Sequence, residues 1–249
     1  MMKLWPAIDL MGGRVVRLVE GKREQATFYE GDPADVARGF FEAGATHLHV
    51  VDLDAAFDGS SDAGAPNRKA IADILKCAIL CDVQVQVGGG LRSLAAIDAL
   101  IEAGATRVVL GTIVVEDPAV LVASAAKHPG KVVVAVDAKD GIVAIRGWTE
   151  SSGRSAIEMA TEAQGVGSAA VLYTDIALDG TGRGPNVEAT HRLQTALHIP
   201  VIASGGVGSL DHLRALKHAS AQEVIVGKAL HDGRVSLADA MRICSDPPL

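Results

Sequence analysis

Aromatic side chains are scarce in this 249-residue chain, which has four Phe, two Tyr and two Trp. Sequence-tolerant binding of single-stranded nucleic acid relies on aromatics interleaved with Lys and Arg, and no stretch of the chain combines them. Positive charge is also in deficit: 23 Lys and Arg face 30 Asp and Glu, a formal net charge of −7. That balance excludes a general nucleic-acid surface and leaves a small solute as the expected partner. Cysteine is sparse and odd in number. Cys77 and Cys81 have no second cysteine pair or nearby His pair to complete a metal site, so no metal is expected. Together with Cys244 they read as reduced, mostly buried thiols of a reducing cytoplasm. No apolar run reaches the roughly 20 residues that a membrane span needs, and the charges of MMKLWPAIDLMGGR are too closely spaced for a secretory apolar segment. A soluble, cytoplasmic protein is expected.

What the chain does have is aliphatic mass. Hydrophobic residues make up 49% of it, chiefly Val, Ala, Leu and Ile, enough for helices packed on a large buried sheet. Eight short runs read as buried parallel strands: 4–10, 47–53, 83–88, 107–111, 132–137, 169–175, 200–204 and 223–227. Helical spacing follows each one, opening at Asp32, Asn67, Ser93, Asp117, Ser155, Asn186, Ser209 and Ser236, all residues suited to N-terminal capping. No Pro-rich or Ser-rich linker separates them. The expected fold is an α/β (β/α)8 TIM barrel filling 1–249 as a single domain; an open doubly wound sheet is the alternative.

The barrel carries an internal repeat. VQVGGGLRS (85–93) matches VIASGGVGS (201–209), and at the same offset Gly111 matches Gly227. PAIDLMGGRVVRLVEG (6–21) resembles VAVDAKDGIVAIRGW (134–148), and HVVDLDAAFDG (49–59) resembles LYTDIALDGTG (172–182). Each half supplies four strand–helix units, so equivalent positions face each other across the barrel mouth. Glycine turns that open helices present backbone N–H groups and a partial positive charge, which suits a phosphate. One rim offers Gly205, Gly206, Gly227 and Lys228; the opposite rim offers Gly89, Gly90, Arg92, Gly111 and Thr112. A ligand with two phosphates is expected, although the glycines could serve tight turns alone.

Asp9 and Asp137 end strands on the other diagonal, where paired carboxylates suit proton transfer, one as base and one as acid. The acid must keep its proton through burial or a neighbouring negative charge. Asp179, on the Gly-rich loop of DIALDGTGRGPN, is a third candidate. His49 could be a core histidine or touch the ligand. Trp148 could stack on a ligand ring or anchor packing, and Arg17 could reach a phosphate or be solvated.

Found in this order, PAIDL, GGRVVRL, LHVVDLD, VQVGGGLRS, TDIALDGTGRGPN, ASGGV and VGKAL resemble the ProFAR isomerase family of histidine biosynthesis along essentially the whole chain. The resemblance implies a (β/α)8 barrel that acts on a bisphosphate without metal or organic cofactor, converting an N-glycosidic aminoaldose to an aminoketose by an Amadori rearrangement. It implies Asp9 as proton acceptor, Asp137 as proton donor with Asp179 as a rival for ring opening, and Thr174 as a residue that helps hold the site. The loop 20–32, the stretch 58–67 and Gly182–Arg183 depart from the family's compact pattern. A dual-specificity isomerase that also accepts phosphoribosylanthranilate is one alternative. Another is the cyclase subunit of imidazole glycerol phosphate synthase, whose cysteine before the first Asp and whose loop ending in Tyr-Asp have no counterpart here. A catalytically silent phosphosugar-binding barrel is disfavoured by the intact acids. A monomer is expected.

Overall fold

The computed structural model of the chain describes residues 1–58 and 65–246. In chain order it runs β1 (Lys3–Met11), β2 (Arg14–Val19), β3 (Lys22–Phe28), α1 (Pro33–Glu42), β4 (His47–Asp52), α2 (Leu53–Asp58), α3 (Ala65–Leu80), β5 (Gln84–Gly88), α4 (Leu94–Glu102), β6 (Arg107–Leu110), α5 (Ile113–Glu116) and α6 (Pro118–Lys127). The second half runs β7 (Val132–Lys139), β8 (Ile142–Ile145), β9 (Glu150–Ser155), α7 (Ala156–Gly165), β10 (Ala170–Asp175), α8 (Val187–Ala196), β11 (Val201–Ser204), α9 (Leu210–His218), β12 (Glu223–Val226), α10 (Lys228–His231) and α11 (Leu237–Ser245). Strands β1, β4, β5, β6, β7, β10, β11 and β12 pair in parallel in that order, and β12 returns to β1 with Trp5 beside Ile225. The sheet therefore closes into a (β/α)8 barrel, as the alternation of aliphatic runs and capped helices predicts.

Two layers of core hold it. Trp5, Ala7, Val109, Val133, Ala170, Leu172, Ile202 and Ile225 fill the barrel interior, while three further aliphatic clusters lie between strands and helices. At the N-terminal end, buried Glu223 receives the Trp5 indole N–H at 2.8 Å and the Arg107 guanidinium at 3.0 Å, and Lys3 stands 3.6 Å away. A buried carboxylate is tolerated only when its charge and lone pairs are met in this way. The network plugs the barrel base and leaves the opposite mouth as the accessible end.

The capping residues act as the sequence predicts. Asp32, Ser93, Asp117, Ser155, Asn186, Ser209 and Ser236 each accept a backbone N–H in the first turn of α1, α4, α6, α7, α8, α9 and α11. The exception is Asn67, which lies inside α3 rather than before it. Its side chain is fully buried and committed elsewhere: it donates to the Leu10 carbonyl at 3.1 Å and to Asp52 at 2.7 Å, and accepts from the Gly13 amide at 2.7 Å. Asn67 thus ties the β1–β2 turn to the end of β4.

The hairpins that follow Asp9 and Asp137 are larger than the sequence suggests. Each adds two antiparallel strands, β2–β3 and β8–β9, and the unusual loop 20–32 contains β3. Of the other unusual stretch, 58–67, residues 59–64 lie outside the described residues.

The glycine turns have a packing reason of their own. Gly90 has φ +65°, and a Cβ there would lie 2.5 Å from the Ala55 carbonyl oxygen and side chain. Gly89 abuts the Asp52 backbone and Gly206 abuts the Gly184 carbonyl too closely for any side chain. Strand-to-helix turns and neighbouring loops therefore demand glycine whatever the mouth binds. Gly141, at φ +80° on the β7–β8 hairpin, has nothing within 4 Å of a Cβ. Gly206→Ala should accordingly cost about 2 kcal/mol or more in urea unfolding, and Gly141→Ala about 1 kcal/mol from backbone conformation alone. Equal losses in the two variants would contradict the packing argument.

Candidate active site

The eight barrel strands deliver their C-terminal ends to one mouth, and register sets the side chains at a common depth. Thr174 pairs with both Asp137 and Ser204, and Asp9 pairs with Val51. One layer deeper, Ala7 stands beside His49, and His49 beside Gln86. Every candidate drawn from the sequence lines the same cleft: Asp9, Arg17, His49, Asp137, Trp148, Thr174 and Asp179 in the centre, with Gly89, Gly90, Arg92, Gly111 and Thr112 on one rim and Gly182, Gly205, Gly206, Gly227 and Lys228 on the other.

Arg17 organises the centre. It rises from β2, its side chain only 11% exposed, and forms an ion pair with Asp9 Oδ2. Asp9 Oδ1 receives no hydrogen bond from the described residues. The guanidinium lies where a Cβ at Gly227 would be, so that glycine makes room for an arginine as well as for a turn. Among the described residues Arg17 Nε is buried without a partner, an uncompensated donor.

Asp137 accepts the Trp148 indole N–H at 2.9 Å. Burial raises its pKa, and hydrogen bonds from Trp148 and Thr174 oppose the rise. Trp148 holds its ring in place with φ +68°, against Gly21 of the β2–β3 turn, where a Cβ would lie 2.6 Å from the indole. Asp179 is different. Its residue keeps some surface open to the cleft, but protein surrounds the carboxyl, and burial pushes its pKa up to about 6. Arg17 pulls against that rise, while the charges of Asp9 and Asp137 add to it. The loop bearing Asp179 is docked on the first hairpin: its carbonyl accepts the Glu20 amide at 3.0 Å, and a side chain at Gly180 would strike the Leu18 carbonyl.

His49 is buried, and its ring Nδ1 meets the Gln86 side-chain amide at 3.0 Å. Burial and the Arg17 charge push its pKa down to about 3, so the imidazole is neutral at physiological pH. On the rims, Arg92 is exposed to the cleft, Thr112 Oγ1 accepts the Arg146 amide at 2.9 Å, and Lys228 pairs with Asp232 at 2.8 Å. Sequence reasoning missed Tyr29, His231, Asp232 and Arg234. Tyr29 donates to Asp232 at 2.7 Å and stacks against His231, 4.9 Å between ring centres, and His231 contacts the Ala7 carbonyl at 2.8 Å. The basic residue following VGKAL was the one available signal among these. Among the described residues, no group of three or more His, Cys, Asp or Glu could hold a metal ion, and no helix is long and apolar enough to cross a membrane.

Residues 3–236 match the family described as Histidine biosynthesis protein. The chain belongs to this family. It is 48% identical over 241 residues, 96% of this chain and 97% of the relative, to a protein of Hyphomonas neptunium named 1-(5-phosphoribosyl)-5-((5-phosphoribosylamino)methylideneamino)imidazole-4-carboxamide isomerase. Relatives of the same name come from Rhodospirillum rubrum, 44% identical over 98% of this chain and all of the relative, and from Sorangium cellulosum, 48% identical with the same two coverages. In this chain the doubled glycine turn and the acids of β1 and β7 line one continuous cleft.

The raised pKa of Asp179 has a consequence for stability. Its carboxyl binds its proton more tightly folded than unfolded, so it contributes stability below an ordinary Asp pKa of about 3.9 and loses it as pH rises through about 6. Asp179→Asn should therefore melt higher than the native protein at pH 8, with the difference shrinking towards pH 4. A difference that is flat in pH would show that Asp179 ionises as an unperturbed aspartate.

Proposed function

We propose that this protein is an intramolecular oxidoreductase, the ProFAR isomerase of histidine biosynthesis, and that it converts the aminoaldose ProFAR to the aminoketose PRFAR. The observation that carries the reading is the group of three carboxylates, Asp9 paired with Arg17 and Asp179 within reach of the charges of Arg17, Asp9 and Asp137, in a cleft that also has two glycine-lined rims. A bisphosphate laid across the mouth would put one phosphate on each rim and its ribose between the acids. The Arg17 guanidinium packed against Gly227 adds positive charge beside that rim, which supports an anionic ligand there.

Asp179 is the acid in this reading. With a pKa of about 6 it holds a proton far longer than an ordinary carboxyl, and it can deliver that proton to the ribose ring oxygen as the ring opens to a Schiff base. Asp9 is the base. Its Oδ1, which no donor among the described residues engages, takes the C2 proton, and the resulting enolamine tautomerises to the ketone. The motif resemblance favours Asp137 as donor, but its carboxylate already holds the Trp148 N–H and a Thr174 hydrogen bond. That pairing suits a group that positions Trp148 over the substrate and adds negative charge next to Asp179. Neutral His49 supplies a hydrogen bond without a full charge. The reaction uses no metal or organic cofactor in this reading, and the protein works as one barrel domain, 1–249, monomeric in the cytoplasm.

Incubation with ProFAR should yield PRFAR, and phosphoribosylanthranilate should be left unchanged; turnover of the latter would make the enzyme dual-specific, and consumption of neither would overturn the assignment. Asp9→Asn should lower kcat by about two to four powers of ten while the fold is retained. The fall of kcat/KM above about pH 6 should vanish in Asp179→Asn and persist in Asp137→Asn. The opposite pattern would give the acid role to Asp137.

A further inference from the structure

The two rims are equivalent in backbone but unlike in charge. At the offset that superimposes the glycine turns, Lys228 falls on Thr112, Arg234 on Pro118 and Gly208 on Arg92. Nothing in the barrel's architecture therefore requires a cation at position 234, since the other half folds with a proline there. Arg234 nevertheless lines the cleft beside Gly182, Gly206 and Lys228, and its Nη1 would lie 3.0 Å from a Cβ placed on Gly182. The backbone beneath it is fixed: Val235 is buried, and its amide donates to the Ala229 carbonyl at 3.0 Å.

Charge pairing leaves this arginine in surplus. Lys228 Nζ takes Asp232 Oδ2 at 2.8 Å, the Tyr29 hydroxyl takes Asp232 Oδ1 at 2.7 Å, and Arg17 is paired with Asp9. Arg234 reaches the same Asp232 oxygen only through Nε at 3.8 Å, and among the described residues its Nη1 and Nη2 donate no hydrogen bond. Asp232 is spoken for. Burial raises its pKa, but the hydrogen bonds from Lys228 and Tyr29 outweigh burial and hold it below the usual carboxylate range, so it stays ionised. A guanidinium in this position presents an unengaged fork of donors beside Gly182 in the cleft that Gly205–Gly208 also lines, and such a fork suits two oxygens of a phosphate.

We propose that Arg234 is a phosphate-binding residue, gripping the terminal phosphate of the substrate at the rim formed by β11 and β12. The proposal rests on the reading that this rim holds a phosphate. It gives the two ends of the mouth different cations, Arg92 on one side and Lys228 with Arg234 on the other, where the backbone alone would treat both phosphates alike. Asp232 then acts as a positioning residue: it holds Lys228 and Tyr29 in place and leaves the Arg234 fork free.

Steady-state kinetics with ProFAR, with inorganic phosphate as competing anion, tests it. In Arg234→Ala, KM should rise about five- to tenfold with a smaller change in kcat, phosphate should compete more weakly, and the dependence of KM on salt should flatten. Arg234→Lys should recover part of the KM loss, because it restores charge without the fork. If phosphate competes in the native enzyme and Arg234→Ala keeps native KM and native phosphate inhibition, the arginine is a solvated surface residue and the proposal falls alone. If phosphate fails to compete with ProFAR in the native enzyme, the phosphate rim itself falls, and the proposal with it. A matching melting temperature for Arg234→Ala and Arg234→Lys guards against a folding effect.

Discussion

Three carboxylates and one guanidinium share the centre of the barrel mouth, and most of the site's chemistry follows from that excess of negative charge. Arg17 can neutralise one aspartate directly, and it is bound to Asp9. Asp179 feels the remaining negative charge together with burial, and its proton is retained to about pH 6. Burial and the same guanidinium together depress the pKa of His49, whose imidazole is neutral, and of His231. Like residues are thus set apart by their surroundings: Asp9 lies against Arg17, while Asp179 is enclosed by protein that raises its pKa to about 6.

That arrangement depends on contacts far apart in the chain. Arg17 stands on a hairpin whose turn is fastened by Asn67, whose tip meets Trp148 and whose edge accepts the Asp179 loop. The parts of the site that come from loops after β1, β7 and β10 therefore brace one another over the mouth. The strand ends provide a rigid base beneath them, closed at the far end by the Glu223 network. A mouth assembled from mutually supporting loops on a stiff barrel is how this fold places chemistry precisely while its core remains aliphatic.

Much of this was legible in the sequence because it rests on local or periodic signals. Aliphatic runs mark the strands that carry Asp9, Asp137 and Gly88, although only β5 ends where expected, at Gly88, while β1 and β7 run on to Met11 and Lys139; Ser93 and Ser209 mark two equivalent helix starts. The repeat placed the acids and glycine turns on crossed diagonals before any coordinates. What stayed hidden depends on distant partners. Asn67 looks like a cap, yet spends its side chain on Leu10, Gly13 and Asp52. Gly89 and Gly90 look like phosphate glycines, yet the Asp52–Ala55 backbone already forbids a side chain there. Asp179 looks like a turn residue in a Gly-rich loop, and nothing in DIALDGTG reveals that the loop folds inward to join Asp9 and Asp137. Tyr29, some two hundred residues from Asp232 and Arg234 in the chain, becomes their neighbour only once β12 closes on β1.

Proton retention by Asp179 can be observed directly. Carbon-13 NMR titration of the aspartate carboxyl groups, assigned with Asp9→Asn, Asp137→Asn and Asp179→Asn, reads each proton in the resting enzyme. One carboxyl, absent in Asp179→Asn, should titrate at about pH 6, and replacing Arg17 with Ala should move that titration to higher pH, since the guanidinium opposes proton retention. If the Asp179 carboxyl instead titrates at about 4 and is indifferent to Arg17, the shared-charge account of this site is wrong.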